Sequence, residues 1–221
     1  MGTDDARGHP ITVSLEQIRL EGDLTVPDGA RGVVLFAHGA GSSRHSPRNR
    51  YVATSLVDVG FATLLMDLLT GEEEQVDLRT RELRFDIGML ASRLTAAADW
   101  LNAEPSTAGL PLVTFGASTG AAAALITAAA RPDLVRGVIS RGGRADLAGQ
   151  ALEEVVAPVL LIVGGRDPVV IELNKRAAAI LDRVELKIVP GATHLFEEPG
   201  ALDTVIAQSV DALNRWFRVT L

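Results

Sequence analysis

The sequence predicts an α/β domain built on a doubly wound, mostly parallel sheet. Short apolar, β-branched runs alternate with helix-period segments along almost the whole chain. The runs lack the apolar–polar alternation of a one-sided strand, so they suit strands covered on both faces. Small and potentially reactive residues gather just after the runs. In such a sheet that is the carboxyl edge, where ligands bind.

In chain order, residues 1–10 read as a polar tail and residues 11–221 as one domain. Ile11–Val26 suits an opening hairpin that turns near Gly22. Gly32–His38 is a compact apolar run ended by Gly39 and is the first parallel strand. Arg48–Val59 reads as a helix, with Pro47 near its start and Gly60 at its end. Phe61–Met66 is the next strand, and Thr70–Arg79 is a polar stretch without apolar periodicity. Beyond it Leu83, Ile87, Leu90, Leu94 and Leu101 recur as on an amphipathic helix. Pro111–Phe115, Leu134–Ile139, Val159–Val163 and Val184–Val189 complete the strands. Thr119–Ala130, Ile171–Leu181 and Ala201–Phe217 complete the helices. Between Arg141 and Pro158 there is room for a short helix near Asp146–Val155, but not for a cap domain.

Composition narrows the chemistry. A length of 221 residues fits a single large α/β domain. With 21 Lys and Arg against 28 Asp and Glu the net charge is −7, and no basic run is present. That argues against a nucleic-acid partner, which needs cations to offset phosphates. Cysteine is absent, which removes disulfides, thiolate metal sites, Fe–S clusters and a cysteine nucleophile. No apolar run reaches the roughly 18 residues of a membrane span, and the first residues lack a signal-peptide core. A cytoplasmic protein with no membrane partner is expected. The sequence sets no preference between monomer and homodimer. Imidazole chemistry must use His9, His38, His45 or His194.

Gly116-Ala-Ser-Thr-Gly120 fits G-x-S-x-G between a strand and a helix. In that pattern the serine sits on a sharp, strained turn, and the flanking positions crowd together. Gly116 and Gly120 meet that demand, and Ser118 is presented at a helix N-terminus that favours developing negative charge. A serine hydroxyl needs a base to take its proton. His194 follows the last strand and is the candidate base. Asp167, after the strand Val159–Val163, is the candidate acid that orients it, with Asp67 the runner-up. An oxyanion would take the Thr119 backbone N–H and, from the loop after His38-Gly39, that of Ala40. Arg141 and Arg144 stand beside this site and could hold a substrate carboxylate.

The order Ser118, Asp167, His194, together with His38-Gly-Ala-Gly-Ser-Ser43 and the elbow, resembles the α/β-hydrolase superfamily over nearly the whole chain. The small size, Leu68-Leu-Thr70 and His194-Leu-Phe-Glu-Glu-Pro-Gly200 are similar to its dienelactone-hydrolase-like branch. Dienelactone hydrolases proper use a cysteine nucleophile, where this chain has Ser118. The resemblance implies the fold and hydrolysis through an acyl-enzyme, not the substrate; a small ester or lactone is expected, with no metal or cofactor. Activity should fall as acid protonates the imidazole base. The rival readings are a ligand-binding sensor on the same fold and, among enzymes, a thioesterase or peptidase.

Overall fold

The computed structural model describes residues 8–15 and 18–217. Eight strands form one sheet: β1 (His9–Leu15), β2 (Ile18–Thr25), β3 (Val33–Ala37), β4 (Ala62–Met66), β5 (Leu112–Ala117), β6 (Val135–Arg141), β7 (Val159–Gly164) and β8 (Val184–Val189). Their spatial order is β1-β2-β4-β3-β5-β6-β7-β8. From β4 to β8 all neighbours pair in parallel, and β2 runs antiparallel to both β1 and β4. The helices are α1 (Pro47–Asp58), α2 (Gly71–Thr80), α3 (Ile87–Ala103), α4 (Gly120–Ala130), α5 (Pro168–Ala178) and α6 (Ala201–Trp216).

The continuous apolar runs do what their composition requires. Every residue of β3, β4, β5 and β7 is buried. Along β3, Val33, Leu35 and Ala37 face a core shared with α3 and α4, while Val34 and Phe36 face one shared with α1 and α6. Phe36 stacks on Phe115 across those strands, with ring centroids 4.7 Å apart. Alanine-rich α4 is buried along most of its length, and its small side chains let it lie close against the sheet. No described helix is long and apolar enough to cross a membrane.

Three expectations are corrected. The opening hairpin does not turn near Gly22, which pairs with Ile11 inside β2. The pairing of Leu15 with Ile18 puts the turn at 16–17, outside the described residues. Gly22 serves packing instead, since a Cβ there would stand 3.0 Å from the Leu64 side chain. The polar stretch Thr70–Arg79 is mostly helix α2. A reciprocal capping box starts it: the Glu73 N–H donates to the Thr70 hydroxyl, and the Thr70 N–H donates to the Glu73 carboxylate. Glu73 also receives both terminal nitrogens of Arg93 on α3, at 2.6 and 2.7 Å. That pairing holds its carboxyl below the usual range. With only Asp77 fully buried, α2 has no apolar stripe, which is why periodicity misses it. Finally, α3 starts at Ile87, where Asp86 caps it, and Leu83–Phe85 is a separate 3-10 turn.

The connection from β6 to β7 carries only a 3-10 segment, Ala145–Glu154, kinked at Gly149. It packs against α4 and α5. Among the described residues, this connection therefore carries no cap domain.

Candidate active site

Strand order decides where a site can form. The chain leaves β3 for β4 on one side, and β5 lies on the other. At such a switch point the connections diverge and leave a crevice. Here a cleft of about 220 Å³ opens between the ends of β3 and β5. Ser118, Ala40, His194, Arg141, Arg48 and Asn49 are among the residues that line it.

Ser118 has φ +51°, in the left-handed region. A non-glycine residue held there stores backbone strain and needs surroundings that over-determine it. They do so at both flanks. A Cβ on Gly116 would lie 2.3 Å from Ala121 Cα, and one on Gly120 would lie 2.3 Å from the Ala37 carbonyl oxygen. The Ser118 N–H donates to the Arg141 carbonyl at 3.3 Å. Its own carbonyl accepts from Ala121 and Arg144 N–H groups, at 3.2 and 2.9 Å. The turn thus sets Ser118 at the head of α4.

Asp167 ends the turn after β7 and caps α5. One carboxylate oxygen accepts the Val170 N–H at 3.3 Å, and the other stands 2.7 Å from His194 Nδ1. An acceptor at Nδ1 favours the tautomer whose Nε2 carries the lone pair. The loop bearing His194 is clamped. A Cβ on Gly164 would lie 2.5 Å from the Thr193 carbonyl oxygen, so the loop lies against the end of β7. Phe196, at φ +57° and 1 % exposed, anchors the loop in the core. The Thr193 N–H donates to both oxygens of Glu198 at 3.1 Å, which lowers that carboxyl's pKa. Glu198 is a clasp on the histidine loop, a role its place near the start of α6 did not suggest.

Other candidates fall away from the cleft. Asp67 is bonded by Arg44 through side chain and backbone N–H. His38 is buried and spans two backbones: Nε2 accepts the Leu68 N–H at 3.1 Å, and Nδ1 faces the Gly39 carbonyl at 3.0 Å. Burial lowers its pKa, consistent with a neutral, structural ring. His45 and His9 are exposed. Of the two arginines, Arg144 forms a bidentate pair with Asp146, both bonds at 2.8 Å, and does not line the cleft. Arg141 does line it, and so do Ser46, Arg48 and Asn49 at the start of α1, which the sequence reading passed over.

The oxyanion region differs from expectation at one donor. The Ala40 N–H already donates to the Thr119 hydroxyl oxygen at 2.9 Å. The Thr119 N–H makes no hydrogen bond among the described residues. Thr119 is 4 % exposed, so its hydroxyl ties the Gly39–Ala40 loop to the elbow from a buried position. Thr119→Val should leave the Ala40 N–H without an acceptor and cost about 1–3 kcal/mol. Thr119→Ser should keep most of that stability. Urea denaturation midpoints of the two variants test this.

Comparison with known proteins agrees with this architecture. Residues 20–219 match the family model described as the dienelactone hydrolase family. Two Mycobacterium tuberculosis proteins, described as candidate phosphoribosyl transferases, are 57% identical over 212 residues. The match covers 96% of this chain and 46% of theirs, so the chain spans about half their length. The crystal structure of a dienelactone hydrolase from Anabaena variabilis superposes with a TM-score of 0.93 at 56% identity, covering 96% of this chain and 98% of that one. A lid-less α/β serine hydrolase from Xanthomonas campestris shares the fold, with a TM-score of 0.74 at 20% identity over 100% and 99% of the two chains. With the family pattern running through nearly all of its α/β sheet, the chain belongs to the dienelactone hydrolase family.

Proposed function

We propose that the chain is a serine hydrolase of small carboxylic esters or lactones. The observation that carries this reading is the strained Ser118 lining one cleft with His194, whose Nδ1 lies 2.7 Å from Asp167.

The steps follow from the chemistry of those groups. His194 Nε2 takes the Ser118 hydroxyl proton as the oxygen adds to the substrate carbonyl. Asp167 holds the imidazole and stabilises its charged form. The tetrahedral oxyanion takes the Thr119 N–H, at the positive end of α4. The Ala40 N–H joins when the Thr119 hydroxyl yields its place. Collapse breaks the bond to the leaving oxygen, which receives the proton from His194. Water, deprotonated by the same imidazole, then releases the acid from Ser118. The small, uncapped cleft suits a short acyl group with a loosely held leaving part.

A panel of p-nitrophenyl esters, lactones, thioesters and anilides, run beside a fluorophosphonate label, tests the reading. Turnover of short esters or lactones, with stoichiometric labelling lost in Ser118→Ala, is the expected result. A folded protein that neither labels nor turns over any ester or lactone would overturn it in favour of a ligand-binding role. A preference for thioesters or anilides would move it to a thioesterase or peptidase.

A further inference from the structure

Arg141 is an unusual residue to bury. It is 6 % exposed, yet among the described residues no carboxylate pairs with it. One terminal nitrogen donates to the neutral amide oxygen of Asn49 at 3.1 Å, and the guanidinium lies 5.8 Å from the Phe196 ring centroid. Its Nε is buried without a partner. Burial and the nearby charge of Arg48 pull its pKa down to about 10, which still leaves it charged at neutral pH. An uncompensated buried charge costs several kcal/mol, so a fold gains nothing from this one on its own.

The surroundings supply what a countercharge would need. Arg48 lines the same cleft and also has a buried Nε without a partner. Its carboxylate partner, Glu197, is 63 % exposed at the rim. Arg48 sits in the first turn of α1, whose N-cap Ser46 lines the cleft too. No aspartate or glutamate is among the cleft's lining residues. A helix N-terminus adds roughly half a positive charge. With Glu197 counted against the two arginines, the subsite carries a net charge of roughly +1.5. A phosphate monoester carries about −1.5 to −2 at neutral pH and offers three acceptor oxygens. A carboxylate would offset less of the charge and satisfy fewer donors.

We propose that Arg141, Arg48 and the N-terminus of α1 form an anion subsite within the cleft that holds the phosphate group of a phosphorylated ester or lactone. This assignment rests on the hydrolase reading of Ser118 and names the substrate class for it.

Inorganic phosphate is the probe, with acetate compared at matched ionic strength. Phosphate should raise the melting temperature and inhibit p-nitrophenyl acetate hydrolysis competitively, at concentrations at least 10-fold below those acetate needs. Arg141→Gln should weaken the phosphate-induced shift by 10-fold or more, and Arg48→Gln by a smaller factor. If Arg141→Gln fails to fold, Arg48→Gln and the contrast between the two anions still decide the matter. Acetate acting as well as phosphate overturns the phosphate assignment. Absence of any phosphate effect, in a protein that turns over p-nitrophenyl acetate, overturns the subsite and leaves the hydrolase standing. A phosphate effect that needs Arg141, in a protein that neither labels nor turns over esters, overturns the substrate assignment through the hydrolase reading.

Discussion

Ser118→Ala should lower ester turnover by about 10⁴-fold or more, with little change in melting temperature. In the proposed mechanism the loss is large because nucleophile and base act as a unit: without the oxygen that His194 would deprotonate, the imidazole and Asp167 have no acyl-enzyme to form. What remains should come from the oxyanion donors and substrate binding, as in other triads that lose a member. Stability should hold or rise slightly. Alanine makes no better use of φ +51° than serine does, but it removes a polar group from a strained turn. Initial rates on a short p-nitrophenyl ester, beside a thermal melt, check both halves. Turnover within 10-fold of wild type would remove Ser118 from the chemistry.

Gly116→Ala should have the largest effect on the fold of any single methyl addition at the site. The new carbon would stand 2.3 Å from Ala121 Cα, 2.5 Å from Ala121 N and 2.5 Å from the Gly120 carbonyl oxygen. All three are backbone atoms, so no side chain can swing aside, and β5 and α4 must separate. Overpacking in a core typically costs 1–3 kcal/mol and occasionally more. With only backbone to yield, the expected cost is about 3 kcal/mol or more, a fall of roughly 6–12 °C in melting temperature for a chain this size. Activity should fall further than stability, because the same separation moves Ser118 away from the cleft. Circular dichroism melts and ester rates of the one variant test both. The contrast with Gly71, which has no positive φ and where a Cβ would meet nothing within 4 Å, makes it specific to the elbow.

Most of the sheet was legible because its strands are apolar on both faces, and a run such as Val33–Ala37 needs no tertiary knowledge to be read as buried. The candidate site was legible for a related reason. Ser118, Asp167 and His194 each follow a strand, and a parallel sheet brings strand ends to one edge whatever the loops between them do. Three things were hidden. Helix α2 has no apolar stripe, and ion pairs and a capping box hold it in place; its local signals were the Thr70–Glu73 spacing and the acidic first turn. The Thr119–Ala40 bond joins residues far apart in sequence, across two loops, and depends on a side-chain direction. The isolation of Arg141 was invisible because a sequence shows which charges exist but not which are paired. Arg144, three residues on, is neutralised by Asp146 and looks no different on paper.

Asp167 holds two things at once, the first turn of α5 with one oxygen and the imidazole of His194 with the other. The two contacts share a single carboxylate, so a displacement of Asp167 at the start of α5 moves the oxygen at His194 too. Under the proposed triad, a substitution that displaces the start of α5 is therefore expected to disturb the base as well, at a distance from the cleft.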